Sequence, residues 1–170
     1  MKNKENLALI GMPAVGKSTV GVLLAKKMGY AFQDTDILIQ TKERMSLARI
    51  IETQGLKTFL DIEARHLKSL CCSRHVIATG GSVIYREQAM AHLSQIATIV
   101  YLAVDLSVLV TRLSDLVARG VAIDPGRGVA DLYKERTPLY DNFCDIRIDC
   151  GRLSAAQVVT AVSEALDAAG

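Results

Sequence analysis

The chain has 170 residues, half of them hydrophobic and 22% charged, with a formal net charge of +2. That length predicts a single domain over 1–170 with one sizeable core, and the composition excludes a disordered chain. No basic run exceeds two residues, unlike the concentrated charge of a nucleic-acid binder, and no window approaches the roughly 20 apolar residues of a membrane span.

The first apolar run, LALIG (7–11), is short and passes into a glycine loop, so it reads as a strand rather than a signal peptide. KSTVGVLLAKKMG (17–29) has helical periodicity and stops at Gly29, a natural residue just past a helix end. YAFQDTD (30–36) reads as a second strand. Residues 37–53 and 55–70 read as two helices separated by Gly55. HVIAT (75–79) is a β-branched run ending at Gly80-Gly81, and 86–94 suggests a short helix. ATIVYLAV (97–104) is the most hydrophobic strand, and 105–117 looks helical. RGVAIDPGRG (119–128) is dense in glycine and reads as a lid. A helix resumes over 129–137, DIRIDC (145–150) is a last strand, and 154–166 is a helix opened by a Ser154/Gln157 capping box. Alternating strands and helices predict an α/β domain with a mainly parallel sheet covered on both faces. Cys71 and Cys72 lack metal-site spacing, and Cys144 and Cys150 flank a strand. The four read as reduced thiols packed in the core of a cytoplasmic protein.

Gly11-Met-Pro-Ala-Val-Gly16-Lys17-Ser18 fits G-x-x-x-x-G-K-[ST] at every fixed position, between an apolar strand and an amphipathic helix. The glycines let the backbone curl so that successive N–H groups, Ala14 and Val15 among them, face a phosphate. The helix that follows adds its free N–H groups and dipole. Lys17 supplies a point charge for the β- and γ-phosphates, Ser18 a hydroxyl for Mg²⁺, and Thr19 packing or a further phosphate contact. The loop predicts a nucleoside triphosphate without naming the reaction.

Three further clusters sit where strands end, the place ligands occupy in open α/β sheets. If Asp34 is extended, Asp34 and Asp36 point the same way, one toward Mg²⁺ and one toward a substrate hydroxyl; alternatively Asp36 caps the next helix. Gly80-Gly81-Ser82 permits close backbone approach to a ligand, or is a tight turn. Arg136, ahead of Pro138, offers a two-pronged donor to a carboxylate or phosphate, or is a surface arginine. In the lid (117–128), Arg119 and Arg127 are candidates to neutralise charge and exclude water; otherwise the segment is an ordinary loop.

Together, the phosphate loop, DTD, GLKTFLDIE, TGGS, the lid, RTPLY and the final DCGR resemble the shikimate kinases over essentially the whole chain. The resemblance implies a single-domain P-loop kinase with a five-stranded parallel sheet flanked by helices, a mobile lid, and a monomer. It implies ATP and Mg²⁺ as cofactors and phosphorylation of the 3-hydroxyl of shikimate, in aromatic amino-acid biosynthesis. Position by position, it implies phosphate and metal contacts at Lys17 and Ser18 and a place near Mg²⁺ for Asp34. Asp36 would meet substrate hydroxyls and act as base, Gly80 and Gly81 would meet substrate through their backbone, and Arg136 would bind its carboxylate. Arg119 would be the lid arginine, and Arg112 and Arg152 would flank adenine.

Three departures lie in the acceptor and lid regions. The family's F-R-x-x-E reads Phe59-Leu60-Asp61-Ile62-Glu63, so its second carboxylate-binding arginine is a leucine, which makes that pocket wall apolar. The glycine triplet is Gly80-Gly81-Ser82, and the lid reads ARGVAIDPG. Three readings follow: a shikimate kinase with Arg136 alone on the carboxylate, a related kinase of another hydroxyl compound such as homoserine or gluconate, or a nucleotide-binding regulatory domain without catalysis. The intact Lys17, Ser18, Asp34 and Asp36 weigh against the last.

Overall fold

A computed structural model describes residues 4–117 and 128–169. It has five parallel strands in the order β2-β3-β1-β4-β5, where β1 is Asn6–Ile10, β2 Ala31–Asp34, β3 His75–Ala78, β4 Ala97–Ala103 and β5 Ile146–Asp149. The helices are α1 (Lys17–Met28), α2 (Thr35–Glu43), α3 (Leu47–Lys68), α4 (Glu87–Ile96), α5 (Leu106–Val117), α6 (Val129–Phe143) and α7 (Ala155–Ala169). A 3₁₀ turn, Val83–Tyr85, joins β3 to α4. The expected doubly covered α/β sheet is present. Most of the predicted lid, including Arg119 and Arg127, lies outside the described residues.

Strand β1 is central and buried throughout, because both its neighbours are strands and both its faces carry helices. Its one polar side chain, Asn6, is satisfied: its amide donates to the carbonyls of Cys72 and Ile96 and its oxygen accepts from the N–H of His75. Helix α1 packs Val20, Gly21, Leu24 and Ala25 inward, one face of a 3.6-residue period. Gly21 is small for packing, since a Cβ there would lie 2.6 Å from the Phe32 ring. At the far end, Ser154 and Gln157 form the expected reciprocal cap on α7.

Several boundaries differ from the sequence expectation. The second strand stops at Asp34 rather than 36. Asp34 caps α2, accepting from the N–H groups of Asp36 and Ile37, so Asp36 is helical and not extended. The helix expected over 37–53 is broken at 44–46. Arg44 adopts a left-handed φ of 54° and ends α2, and Ser46 caps α3 by accepting from the N–H of Arg49. Gly55 does divide the helical region, but as a kink inside α3, with φ 83° and ψ 158°.

Helix α6 passes through Pro138 to Phe143 instead of stopping at 137. A proline deletes one backbone donor. Tyr140 anchors the far side: it is fully buried, stacks on Tyr101 with centroids 5.1 Å apart, and donates its hydroxyl to the Gly81 carbonyl at 2.6 Å. Of the thiols, only Cys150 is buried, and Cys71 is exposed at the end of α3, contrary to four core cysteines. Among the described residues, no helix is long and apolar enough to cross a membrane.

Two apolar clusters result. The larger surrounds the sheet. The smaller, Ile39, Ile50, Phe59, Leu60 and Ile62, joins α2 to α3 on one flank. Outside it, Glu43 accepts from Arg65 at 2.7 Å and pairs with His66 at 2.6 Å, so the α2–α3 flank is joined at its surface as well as in its interior.

Candidate active site

A cleft of about 600 Å³ opens at the carboxyl ends of β1, β2 and β3. One wall is the phosphate loop, contributing Pro13, Ala14, Gly16, Lys17, Ser18 and Thr19. Gly11 has φ 144°, and a Cβ there would lie 2.7 Å from the Leu102 carbonyl oxygen, so the loop's sharp departure from β1 requires glycine. Gly16 has φ 99° and opens α1 without a side-chain cap, leaving the helix N–H groups for an anion. Lys17 is 8% exposed, and its Nζ donates to the carbonyls of Gly11 and Met12 at 2.8 and 2.9 Å. Burial lowers it to about 8, against the opposing pull of Asp36.

Asp34 ties this wall to the next: its Oδ2 accepts from Ser18 at 2.6 Å while its Oδ1 caps α2. The capping role considered for Asp36 therefore belongs to Asp34. Asp36 reaches the cleft from the first helical turn, with Oδ1 buried and unpartnered. Desolvation raises its pKa above the ordinary aspartate value, and Lys17 opposes that rise. Carboxylate and lysine thus line the same cleft and act on each other's charge.

The third wall holds Thr79, Gly80, Gly81, Ser82 and Arg136. A Cβ on Gly80 would run into the carboxyl oxygens of Glu63 and Asp36, and one on Gly81 would come within 3.2 Å of Arg136. Both glycines are needed for close approach rather than for φ. Arg136 donates from Nε to the Tyr85 hydroxyl at 3.0 Å, and its guanidinium carbon lies 5.1 Å from that ring's centroid. The tyrosine fixes the arginine from two directions.

TQGLKTFLDIE resolves residue by residue. Phe59, with Leu47, Ile51 and Leu56, makes the apolar side of the cleft. Leu60 does not line it. At 9% exposure it belongs to the second apolar cluster, which corrects its expected place on the acceptor wall: the helical phase turns residue 60 toward Ile39 and Ile50. Asp61 points outward and accepts from Arg86 at 2.8 Å. Glu63 turns inward beneath Gly80 and is 1% exposed. Arg65, engaged by Glu43 on the outer face, is no substitute for an arginine at 60.

Sequence reasoning missed Glu63, Tyr85 and the partner of Ser82. Ser82 donates to Glu63 Oε2 at 2.8 Å, and Glu63 Oε1 is buried without a partner. Desolvation pushes Glu63 up to about 8. The segment Ser82–Arg86 is therefore a strap tied to three elements: to α3 through Glu63 and Asp61, to α6 through Arg136, and to β3 by continuity. Only the acid at 63, at i+4 from the cleft-lining Phe59, gave a local signal.

The stability consequence has a definite sign. Folded Glu63 keeps its proton to about pH 8, whereas an unfolded glutamate releases it near the ordinary value. The folded chain binds the extra proton between those limits, so this group's contribution is full below the lower limit and is lost as pH rises to about 8. Glu63→Gln removes the dependence. Its melting temperature should rise relative to the parent between pH 5 and pH 8.5 by several degrees, at roughly 2–4 °C per kcal/mol. A pH-independent gap would show that Glu63 ionises normally.

Beside the cleft, a recess of about 270 Å³ is lined by Ala14, Val15, Gly16, Thr19 and Arg112 with Cys150 and Leu153. Arg112 donates to the Val15 carbonyl at 3.4 Å. Arg152 is exposed and not among the lining residues. The loop thus separates an outer recess from the cleft where the acidic and basic groups converge.

Comparison with known proteins agrees with this geometry. The family model described as shikimate kinase matches residues 13–167. A shikimate kinase of Prochlorococcus marinus is 36% identical over 168 residues, 95% of this chain and 83% of its own. One from Trichormus variabilis is 37% identical over 146 residues, 84% and 80% of the two chains. The structure of a shikimate kinase from Acinetobacter baumannii in complex with shikimate superposes with a TM-score of 0.87 at 27% identity, covering 98% of this chain and 95% of that one.

Proposed function

The chain belongs to the shikimate kinase family, and from that premise we propose that it transfers the γ-phosphoryl group of ATP to the 3-hydroxyl of shikimate, giving ADP and shikimate 3-phosphate. The observation that carries the reading is the single cleft in which Lys17 and Ser18 face Asp36 and Arg136.

Each side chain then has a task. The loop N–H groups and Lys17 hold the transferring phosphates; Lys17 leaves the Gly11 and Met12 carbonyls to do so. Ser18 and Asp34 present two hard oxygens 2.6 Å apart, a set that suits Mg²⁺ completed by waters and phosphate oxygens. Bound there, the ion would offset phosphate charge. Arg136, held by Tyr85, takes the acceptor's carboxylate with its two terminal nitrogens. Asp36 aligns the hydroxyl and takes its proton as oxygen bonds to phosphorus, and its raised affinity for protons makes it a stronger base than an exposed aspartate. Arg112 borders the base recess. Arg119, implied by the resemblance, completes the charge from the lid. The reading takes the chain as a cytoplasmic monomer, and its four free thiols fit a reducing compartment.

Purified protein with Mg-ATP should release ADP with shikimate at a higher kcat/KM than with homoserine or gluconate, which share its carboxylate but not the ring that sets its hydroxyls against Asp36. The reverse preference would replace the acceptor. Tight ATP binding without turnover of any of the three would indicate a regulatory domain.

A further inference from the structure

Glu63 has no part in that transfer, although it lies beneath the cleft. Its carboxyl is enclosed by α3, the turn after β3, and the Asp36 end of α2. Oε2 accepts one hydrogen bond, from the Ser82 hydroxyl. Oε1 is buried without a partner and faces Gly80 on the same side as the unpartnered Oδ1 of Asp36. An ionised carboxylate so placed ordinarily needs a cation against it. Among the described residues no cation bonds it: Arg65 turns outward to Glu43, Arg136 donates to Tyr85, and Lys17 donates to the loop carbonyls.

We propose that Glu63 serves as an uncharged acid, held by Ser82, and that the pair acts as positioning residues that leave the Arg136 charge to the acceptor's carboxylate. The inference rests on the kinase reading above. The charged groups that act on Glu63 are Lys17 from α1, Asp36 from α2 and Arg136 from α6. With Glu63 neutral, two cations face one anion, and the site accepts an incoming carboxylate. Ionised, Glu63 adds a second anion, draws on Arg136 and repels the acceptor. One neutral hydroxyl, from Ser82, is enough for the protonated acid. Burial holds the proton on to about pH 8, and the Ser82 hydrogen bond, which favours the ionised form, limits how far.

The test is the KM for shikimate and, separately, for ATP from pH 6.5 to 9.5, in the parent, Glu63→Gln, Glu63→Ala and Ser82→Ala. In the parent, KM for shikimate should climb above about pH 8, approaching tenfold per pH unit. Glu63→Gln should hold a KM for shikimate that does not vary with pH, and Glu63→Ala should raise it at every pH. Ser82→Ala should move the climb to higher pH. Loss of the Lys17 charge registers instead in kcat and the KM for ATP, so the two are separable. A Gln variant that keeps the parent's climb overturns the inference, as does a Ser82→Ala climb at unchanged or lower pH, and the latter decides alone if the Gln variant does not fold. No shikimate turnover by the parent at any pH would remove the kinase reading and this inference with it.

Discussion

Lys17→Ala is expected to lower kcat by about 10²–10³-fold or more, the usual loss when one preorganised donor to developing charge is removed. Lys17 is nearly buried at the head of α1, and its ammonium occupies the space between the loop carbonyls and Asp36. No other described cation lines that end of the cleft. The fold should persist, because the ammonium bonds only loop carbonyls while Val20, Leu24 and Ala25 carry the packing of α1. The measurement is single-turnover phosphoryl transfer beside a thermal melt. Retained transfer with an intact melt would show that Lys17 does not stabilise the transferring phosphoryl group.

Arg136→Ala carries the second large effect, on the acceptor side. Removing one partner of a desolvated charged pair costs about 2–5 kcal/mol, or roughly thirtyfold to several thousandfold in binding at 1.4 kcal/mol per tenfold. The upper part of that range is expected, because among the described residues lining the cleft Arg136 is the one guanidinium. The KM for shikimate should rise by that factor while the KM for ATP changes little. Arg136→Lys should recover only part, since an ammonium lacks the planar fork and its fit against Tyr85. A shikimate KM within threefold of the parent would place the carboxylate on another group.

The nucleotide half was legible in the sequence because its information is local. Eight consecutive residues fix the loop, and the strand before it and helix after it have clear periods. The acceptor half was legible only as a list of residue types. That Asp34 rather than Asp36 caps α2 depended on where the strand ended, a two-residue question that propensity does not resolve. The break before Ser46 was not read because it depends on Arg44 in a left-handed conformation, which few non-glycine residues adopt. Leu60 was known as a departure, yet its side of the helix depended on the kink at Gly55, which resets the phase of every residue after it. Glu63 with Ser82 and Tyr85 with Arg136 are pairs 19 and 51 residues apart in sequence, and neither partner announces the other.

The strap from Ser82 to Arg86 has an evolutionary consequence. It touches the acid beneath the floor, the arginine on the far wall and the outer face of α3 within five residues. A substitution that re-aims it displaces three boundaries of the acceptor pocket together, whereas the phosphate loop keeps its shape from its own backbone. Single replacements along the strap should therefore be strongly epistatic, tolerated or harmful according to what already stands at 63, 82, 85 and 136.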